Sequence, residues 1–210
     1  VRGPNGVGKS TLIETVAGLR TLHAGRIDWN ALGFLGHKNA LSPALTVQEI
    51  IDFYGGLYGA RAEDRARALE DLALTHRRNV TVHMLSAGQK RRLALAVLIL
   101  KQATLWILDE PSVSLDAEGI KTLEGLMHAH VSKGGSILFT SHVQLNIDAQ
   151  TLDLSVMNFE RTQKMCFSLC WAPRYGRCHT DFVLRWPGGA WSRLGLLFDC
   201  RVFVCAGDWR

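Results

Sequence analysis

The chain has 210 residues, 47% of them apolar and 20% charged, a balance that suits one ordinary globular domain with a real core and not two. Its formal net charge of +5 invites a nucleic-acid reading, but cations and carboxylates number sixteen each through Glu160, so the whole excess lies beyond that residue and no nucleic-acid partner is expected. The apolar runs fall far short of the roughly 20 residues that span a bilayer, and no secretory signal opens the chain, so a polypeptide working on the cytoplasmic side is expected.

The first motif lies at the very start. "GPNGVGKS", residues 3–10, fits the pattern GxxxxGK[ST]. In that pattern glycines let backbone N–H groups turn inward and cradle a β-phosphate at a helix N-terminus. Lys9 reaches the β- and γ-phosphates and Ser10 offers a hydroxyl to Mg²⁺. Gly3, Pro4, Asn5, Gly6, Val7, Gly8 and Thr11 complete the ATP-binding candidates. A helix is predicted over residues 9–18, with Gly18 closing it. The chain has no initiator Met and enters the loop within three residues, where a strand should precede it. The N-terminal strands are therefore expected to be missing, and the chain reads as a fragment.

"GRIDWN" and "LGFLG" read as short strands. "TVQEIIDFYGGLYG" has Thr46 followed three residues later by Glu49, a capping box that opens an amphipathic helix. "RAEDRARALEDLAL" is a further helix, with Ala62, Ala66, Leu69, Leu72 and Ala73 assigned to its apolar face. "LSAGQKRRLALAVLIL" places a second capping box, Ser86 to Gln89, before a hydrophobic helix. Lys90, Arg91 and Arg92 crowd the first turn of that helix, where the macrodipole disfavours cations. A positive N-terminus beside a serine hydroxyl and a glycine N–H reads as an anion site, and residues 3–10 already cradle one nucleotide. The anion expected here is therefore a nucleotide held by another chain.

"ATLWILDEP" is a buried strand that delivers Asp109 and Glu110 at its carboxyl end, where parallel sheets bind ligands. Asp109 is expected in the Mg²⁺ shell, through water, and Glu110, on the opposite side, polarises the attacking water. "AEGIKTLEGLMHAHV" is a helix; "GSILFTSH" is a strand whose His142 is expected to face the γ-phosphate; "TLDLSVM" is a candidate last strand. Strands alternating with helices predict an α/β fold with a mainly parallel sheet. After Glu160 the pattern fails. All five cysteines lie in the last 45 residues, in no zinc spacing, and the segment from residue 158 reads as an out-of-frame or disordered tail.

Phosphate loop, "LSAGQ", "WILDEP", "SLD" and "SH" occur in the order found in the ATP-binding-cassette (ABC) ATPases, which the chain resembles over residues 1–157. The resemblance implies an α/β P-loop NTPase fold with a mainly parallel sheet flanked by helices and a helical subdomain over about residues 46–100. It implies ATP and Mg²⁺ as ligands, and a homodimer in the ATP-bound state. In that dimer Leu85, Ser86, Ala87, Gly88 and Gln89 meet the partner's γ-phosphate, and Ser114, Leu115 and Asp116 communicate across the interface. His37 stands where most cassettes have a glutamine that senses Mg²⁺ and the membrane subunits. His37, Ala87, "LWILDEP" and "IDWN" are similar to the haem-export branch, the ATPases of cytochrome c biogenesis, which implies membrane-spanning partner subunits and a peripheral place on the cytoplasmic face of the inner membrane. The upstream aromatic that stacks on adenine in the family is absent. Three alternatives remain at this point: the ATPase of another ABC transporter with His37 as a variant, a cassette acting on nucleic acid, and a non-functional truncated product.

Overall fold

The computed structural model describes residues 1–4, 6–22, 27–156, 168–169 and 182–183. The expectations for Asn5, and for most of residues 158–210, lie outside these.

The centre is a parallel sheet in the order β1 (Leu32–Leu35), β2 (Leu105–Leu108), β3 (Ser136–Phe139). Residues 1 and 2 continue it beyond β3. The Val1 amine donates to Phe139 O, Arg2 N–H to Leu152 O (2.7 Å), and Leu154 N–H to Arg2 O (3.0 Å). Two further short strands, β4 (Ser168–Leu169) and β5 (Phe182–Val183), pair antiparallel.

Every residue of "LWIL" is buried because β2 has helices on both faces. Leu105 and Ile107 pack with Ile13 of helix α1 (Lys9–Val16) and with Ala17, which caps its end, on one side. Trp106 and Leu108 join the larger core on the other, with Leu93, Leu95 and Leu98 of α4 (Ala87–Leu100) and Leu123 and Met127 of α5 (Ala117–Ser132). Full burial of each such side chain contributes about 1.5–3 kcal/mol before chain entropy is counted. The same core continues into α2 (Val47–Tyr58) and α3 (Ala62–Asp71) through Ile50, Ile51 and Leu69, and through Leu72 at the end of α3.

Local signals set the helix ends. Both halves of the capping box form at Thr46/Glu49 and at Ser86/Gln89. Helix α1 closes in a Schellman motif: Gly18, at φ 75, donates to Thr15 O, and Leu19 donates to Glu14 O.

Three expectations need correction. Ile27, Asp28 and Trp29, in the middle of "GRIDWN", form no strand. In "TLDLSVM", residues 154–156 make a 3-10 turn, and only Asp153 bridges to Arg2, because Asp153 accepts from Ser155 and curls the backbone. The apolar face of α3 is Ala68 and Leu69, continued by Leu72 and Leu74, while Ala62, Ala66 and Ala73 are exposed. Arg65, whose stem lies against Gly55, occupies the place one turn before Ala68 and Leu69. A long cation with an aliphatic stem covers that surface better than alanine does.

Candidate functional site

The phosphate loop leads straight into α1. Gly3, Gly6 and Gly8 all have positive φ (145°, 82° and 104°), which turns successive peptide groups inward. Gly8 caps α1 without a side chain, and no acidic residue lies in the first turn, so the first N–H groups are open to an anion. A Cβ on Gly6 or Gly8 would meet nothing within 4 Å, so the concavity is open on that side. Lys9 Nζ folds over the loop and donates to the carbonyls of Gly3 (2.7 Å) and Pro4 (3.1 Å); Ser10 and Thr11 stand exposed beside it.

Parallel pairing brings the ends of β1, β2 and β3 to the same edge as this loop. The Val1 amine, bonded to the end of β3, feels the charges of both Glu110 and Lys9. Asp109 is buried at 4% exposure, its N–H bonded to Leu35 O of β1 (2.8 Å). Glu110 leaves the strand at φ 49, a left-handed backbone that is uncommon away from glycine. Asp109 Oδ1 accepts from the Thr140 hydroxyl (2.7 Å), whereas Glu110 Oε2 accepts from the His142 backbone N–H (3.1 Å).

The His142 ring, 57% exposed, holds Nε2 3.3 Å from Glu110 Oε1, yet that buried oxygen has no hydrogen-bond donor. Oε1 is unpaired but covered, so this acceptor at the end of β2 can orient a water only when the His142 ring moves aside. For Mg²⁺ the fit is good. A hydroxyl at Ser10 and a buried carboxylate at Asp109 are hard oxygen donors, and among the described residues no three His, Cys, Asp or Glu converge into an all-protein metal cage. Magnesium bound through one or two protein oxygens and substrate phosphates needs none.

Thr140 is the residue that motif reading missed. Fully buried, its hydroxyl donates to Asp109 and accepts the Glu110 N–H (2.9 Å), so one side chain orients both carboxylate residues. The available signal was a hydroxyl directly after an apolar strand beside the Asp-Glu strand.

The signature segment corrects another expectation. Leu85 is buried, Ser86 and Ala87 are exposed, and Ser86 Oγ accepts from Gln89 N–H (3.2 Å), which leaves its O–H free to donate. The three cations do not form an anion site. Arg91 is buried and bonded within the chain, Arg92 Nη2 pairs with Asp116 Oδ1 (2.7 Å), and Lys90 Nζ reaches His83 O (3.4 Å). A guanidinium stem reaches across a helix end to distant carbonyls, which the local charge pattern does not reveal.

Gly88 is required by close approach, since a Cβ there would lie 2.7 Å from Ser114 O. Ser114 itself sits at φ 67, with Leu115 half-buried behind it. Asp116 caps α5 through Gly119 N–H (2.8 Å); that bond first, and the Arg92 guanidinium second, hold its carboxyl below the usual range. His37 is exposed on the loop after β1. Among the described residues no helix is long and apolar enough to cross a membrane.

Comparison with known proteins gives concordant matches. The family described as "ABC transporter" matches residues 1–113. The cytochrome c biogenesis ATP-binding export protein CcmA of Paracoccus denitrificans (strain Pd 1222) is 42% identical over 157 residues, covering 73% of this chain and 74% of that protein. The protein of the same name from Gluconobacter oxydans (strain 621H) is 45% identical over 147 residues, covering 70% and 68%. A solved ATP-binding subunit of an ABC transporter superposes with a TM-score of 0.63 at 26% identity, over 68% of this chain and 66% of that one.

Proposed function

This chain belongs to the ABC transporter ATP-binding family, and from that premise we propose that it is the ATP-hydrolysing subunit of a membrane complex serving cytochrome c biogenesis by haem export. The ATPase reading is carried by one observation: a phosphate loop meets the buried Asp109 and half-buried Glu110 at one edge of a parallel sheet. The branch is supported by the names and identities of the similar proteins.

In this reading the open N–H groups of Gly6 and of Gly8 through Thr11 and the Lys9 ammonium bind the triphosphate. Ser10 and Asp109 hold Mg²⁺, which neutralises phosphate charge when bound. Glu110 orients a water through Oε1 once the His142 ring, 3.3 Å from that oxygen, has turned aside. The water oxygen bonds to the γ-phosphorus as the bond to the β-bridging oxygen breaks, and ADP leaves with that oxygen. Thr140 holds the Asp109 carboxylate and the Glu110 backbone in place, so little reorganisation accompanies the step. His142, bound to Glu110 through its backbone and with an exposed ring, is the group that turns toward the γ-phosphate.

A second copy of the chain completes the site with Ser86, Ala87, Gly88 and Gln89, and the free Ser86 O–H is available to the partner's phosphate. Arg92–Asp116 and Gly88–Ser114 tie that segment to the loop of residues 114–116, which carries the message between the two sites. Membrane-spanning subunits of the export complex dock beside His37, leaving the chain peripheral on the cytoplasmic face of the inner membrane.

Replacing the CcmA gene of Paracoccus denitrificans with this chain tests the proposal. Haem-stained c-type cytochromes should return with the wild type and not with Lys9→Ala. Failure of a stably expressed, ATP-hydrolysing chain to restore them would overturn the haem-export assignment and leave the ATPase assignment standing.

A further inference from the structure

Arg91 is a buried cation, at 2% exposure, that the hydrolytic scheme above does not use. The macrodipole disfavours a cation in the first turn of α4, and burial pushes its guanidinium down to about 10, against the pull of Asp109 and Glu110. Two costs at one residue call for a structural return.

The return is a fork in which every N–H finds an acceptor. Nη1 donates to Gly36 O (2.7 Å) and Asn39 Oδ1 (3.0 Å). Nη2 donates to Asp109 O (2.9 Å) and Glu110 O (2.8 Å), and Nε to Pro111 O (3.2 Å). Gly36 and Asn39 bracket His37, so one arm grips the loop that carries it. The other grips the backbone of both carboxylate residues. The stem belongs to the helix that begins with the signature segment.

Resting on the ATPase reading, we propose that Arg91 is a positioning residue that makes the signature helix, the His37 loop and Glu110 move as one body. Glu110 is held at φ 49, a backbone that persists only where its surroundings over-determine it. Its N–H is fixed by Thr140 and its carbonyl by Arg91. A shift of α4 against the sheet therefore draws on the carbonyls of residues 109–111 and alters where the Glu110 carboxylate lies. Docking at His37 and docking at Ser86 reach the hydrolytic carboxylate through the same guanidinium.

The test is steady-state ATP hydrolysis by the full chain, with nucleotide affinity and unfolding temperature measured alongside. Arg91→Lys keeps the charge and most of the stem but cannot span five acceptors in a planar fork. It should lower kcat by about 10- to 100-fold, the range for losing a residue that orients a catalytic group, with KM for ATP nearly unchanged. On a Glu110→Gln background the same substitution should have no further effect on turnover, because it acts through that carboxylate. Asn39→Ala removes one acceptor and leaves the guanidinium in place, so it reads the same coupling if Arg91→Lys does not fold; a severalfold fall in kcat at unchanged KM is expected. Turnover within twofold of wild type for a folded Arg91→Lys, or for Asn39→Ala when Arg91→Lys does not fold, would overturn the inference while leaving the ATPase reading intact. So would an equal further loss in the Glu110→Gln background. A wild-type chain that binds ATP and does not hydrolyse it would bring down the ATPase reading, and this inference with it.

Discussion

Replacing Thr140 by valine perturbs the hydrolytic edge with almost no change in shape. The side chain is fully buried, and its hydroxyl makes two bonds, to Asp109 Oδ1 at 2.7 Å and from Glu110 N–H at 2.9 Å. Valine removes a hydrogen bond to an ionised group, about 1.5–3 kcal/mol, and leaves a buried N–H unpaired, about 1–3 kcal/mol. Part of this is offset by the extra methyl group, so a net loss of about 2–4 kcal/mol in stability is expected. At about 2–4 °C per kcal/mol for a chain of this length, the unfolding temperature should fall by roughly 5–15 °C. Activity should suffer more than folding, because the Asp109 carboxylate and the Glu110 backbone lose their orienting group, and misplacement of about 1 Å costs on the order of 100-fold. The assay is phosphate release against ATP and Mg²⁺ concentration, below the unfolding transition of the variant. Thr140→Val should lower kcat and raise the Mg²⁺ requirement with KM for ATP little altered, and Thr140→Ser should recover most of the rate. A valine variant that hydrolyses ATP at the wild-type rate with the same Mg²⁺ dependence would refute this placement of Thr140.

Two further outcomes follow from packing and titration. Gly88→Ala puts a Cβ 2.7 Å from Ser114 O, so a backbone shift costing about 1–3 kcal/mol is expected, and sedimentation should show ATP-dependent dimerisation weakened in a background that cannot hydrolyse. His130 stacks on Trp106 with ring centroids 4.0 Å apart, and burial lowers its pKa below the ordinary 6.5, so its contribution is fully present above that value and is lost as pH falls through the lower folded value. The unfolding temperature should therefore drop on acidification below about pH 6.5, and His130→Phe, which keeps the stack, should flatten that limb of the profile.

Local signals carried most of what could be read in advance. The Thr46/Glu49 and Ser86/Gln89 boxes are complete within four residues each, and both form as the spacing predicts. "LWIL" needs burial on both faces wherever it goes, and it lies between α1 and the α4–α5 layer. What was not legible depends on where long or polar side chains end after folding. The α3 face turned because the stem of Arg65 competes with alanine for the same surface. The charge of Arg91 looked like an invitation to phosphate because its five acceptors come from residues 36, 39 and 109–111, far away in sequence. Thr140 was silent for the same reason: its meaning depends on a neighbouring strand 30 residues away.

Glu110 is the point on which the account turns, and turnover of the Glu110→Gln chain tests it most directly. Phosphate release would be compared with wild type at saturating ATP and Mg²⁺, with nucleotide binding measured on the same samples. The account predicts a loss of about 100-fold or more, the scale of removing a general base, with ATP still bound and the ATP-dependent dimer retained. Equal turnover in the two chains would contradict it, because the carboxylate with the unpaired acceptor would then not be the group that orients the attacking water.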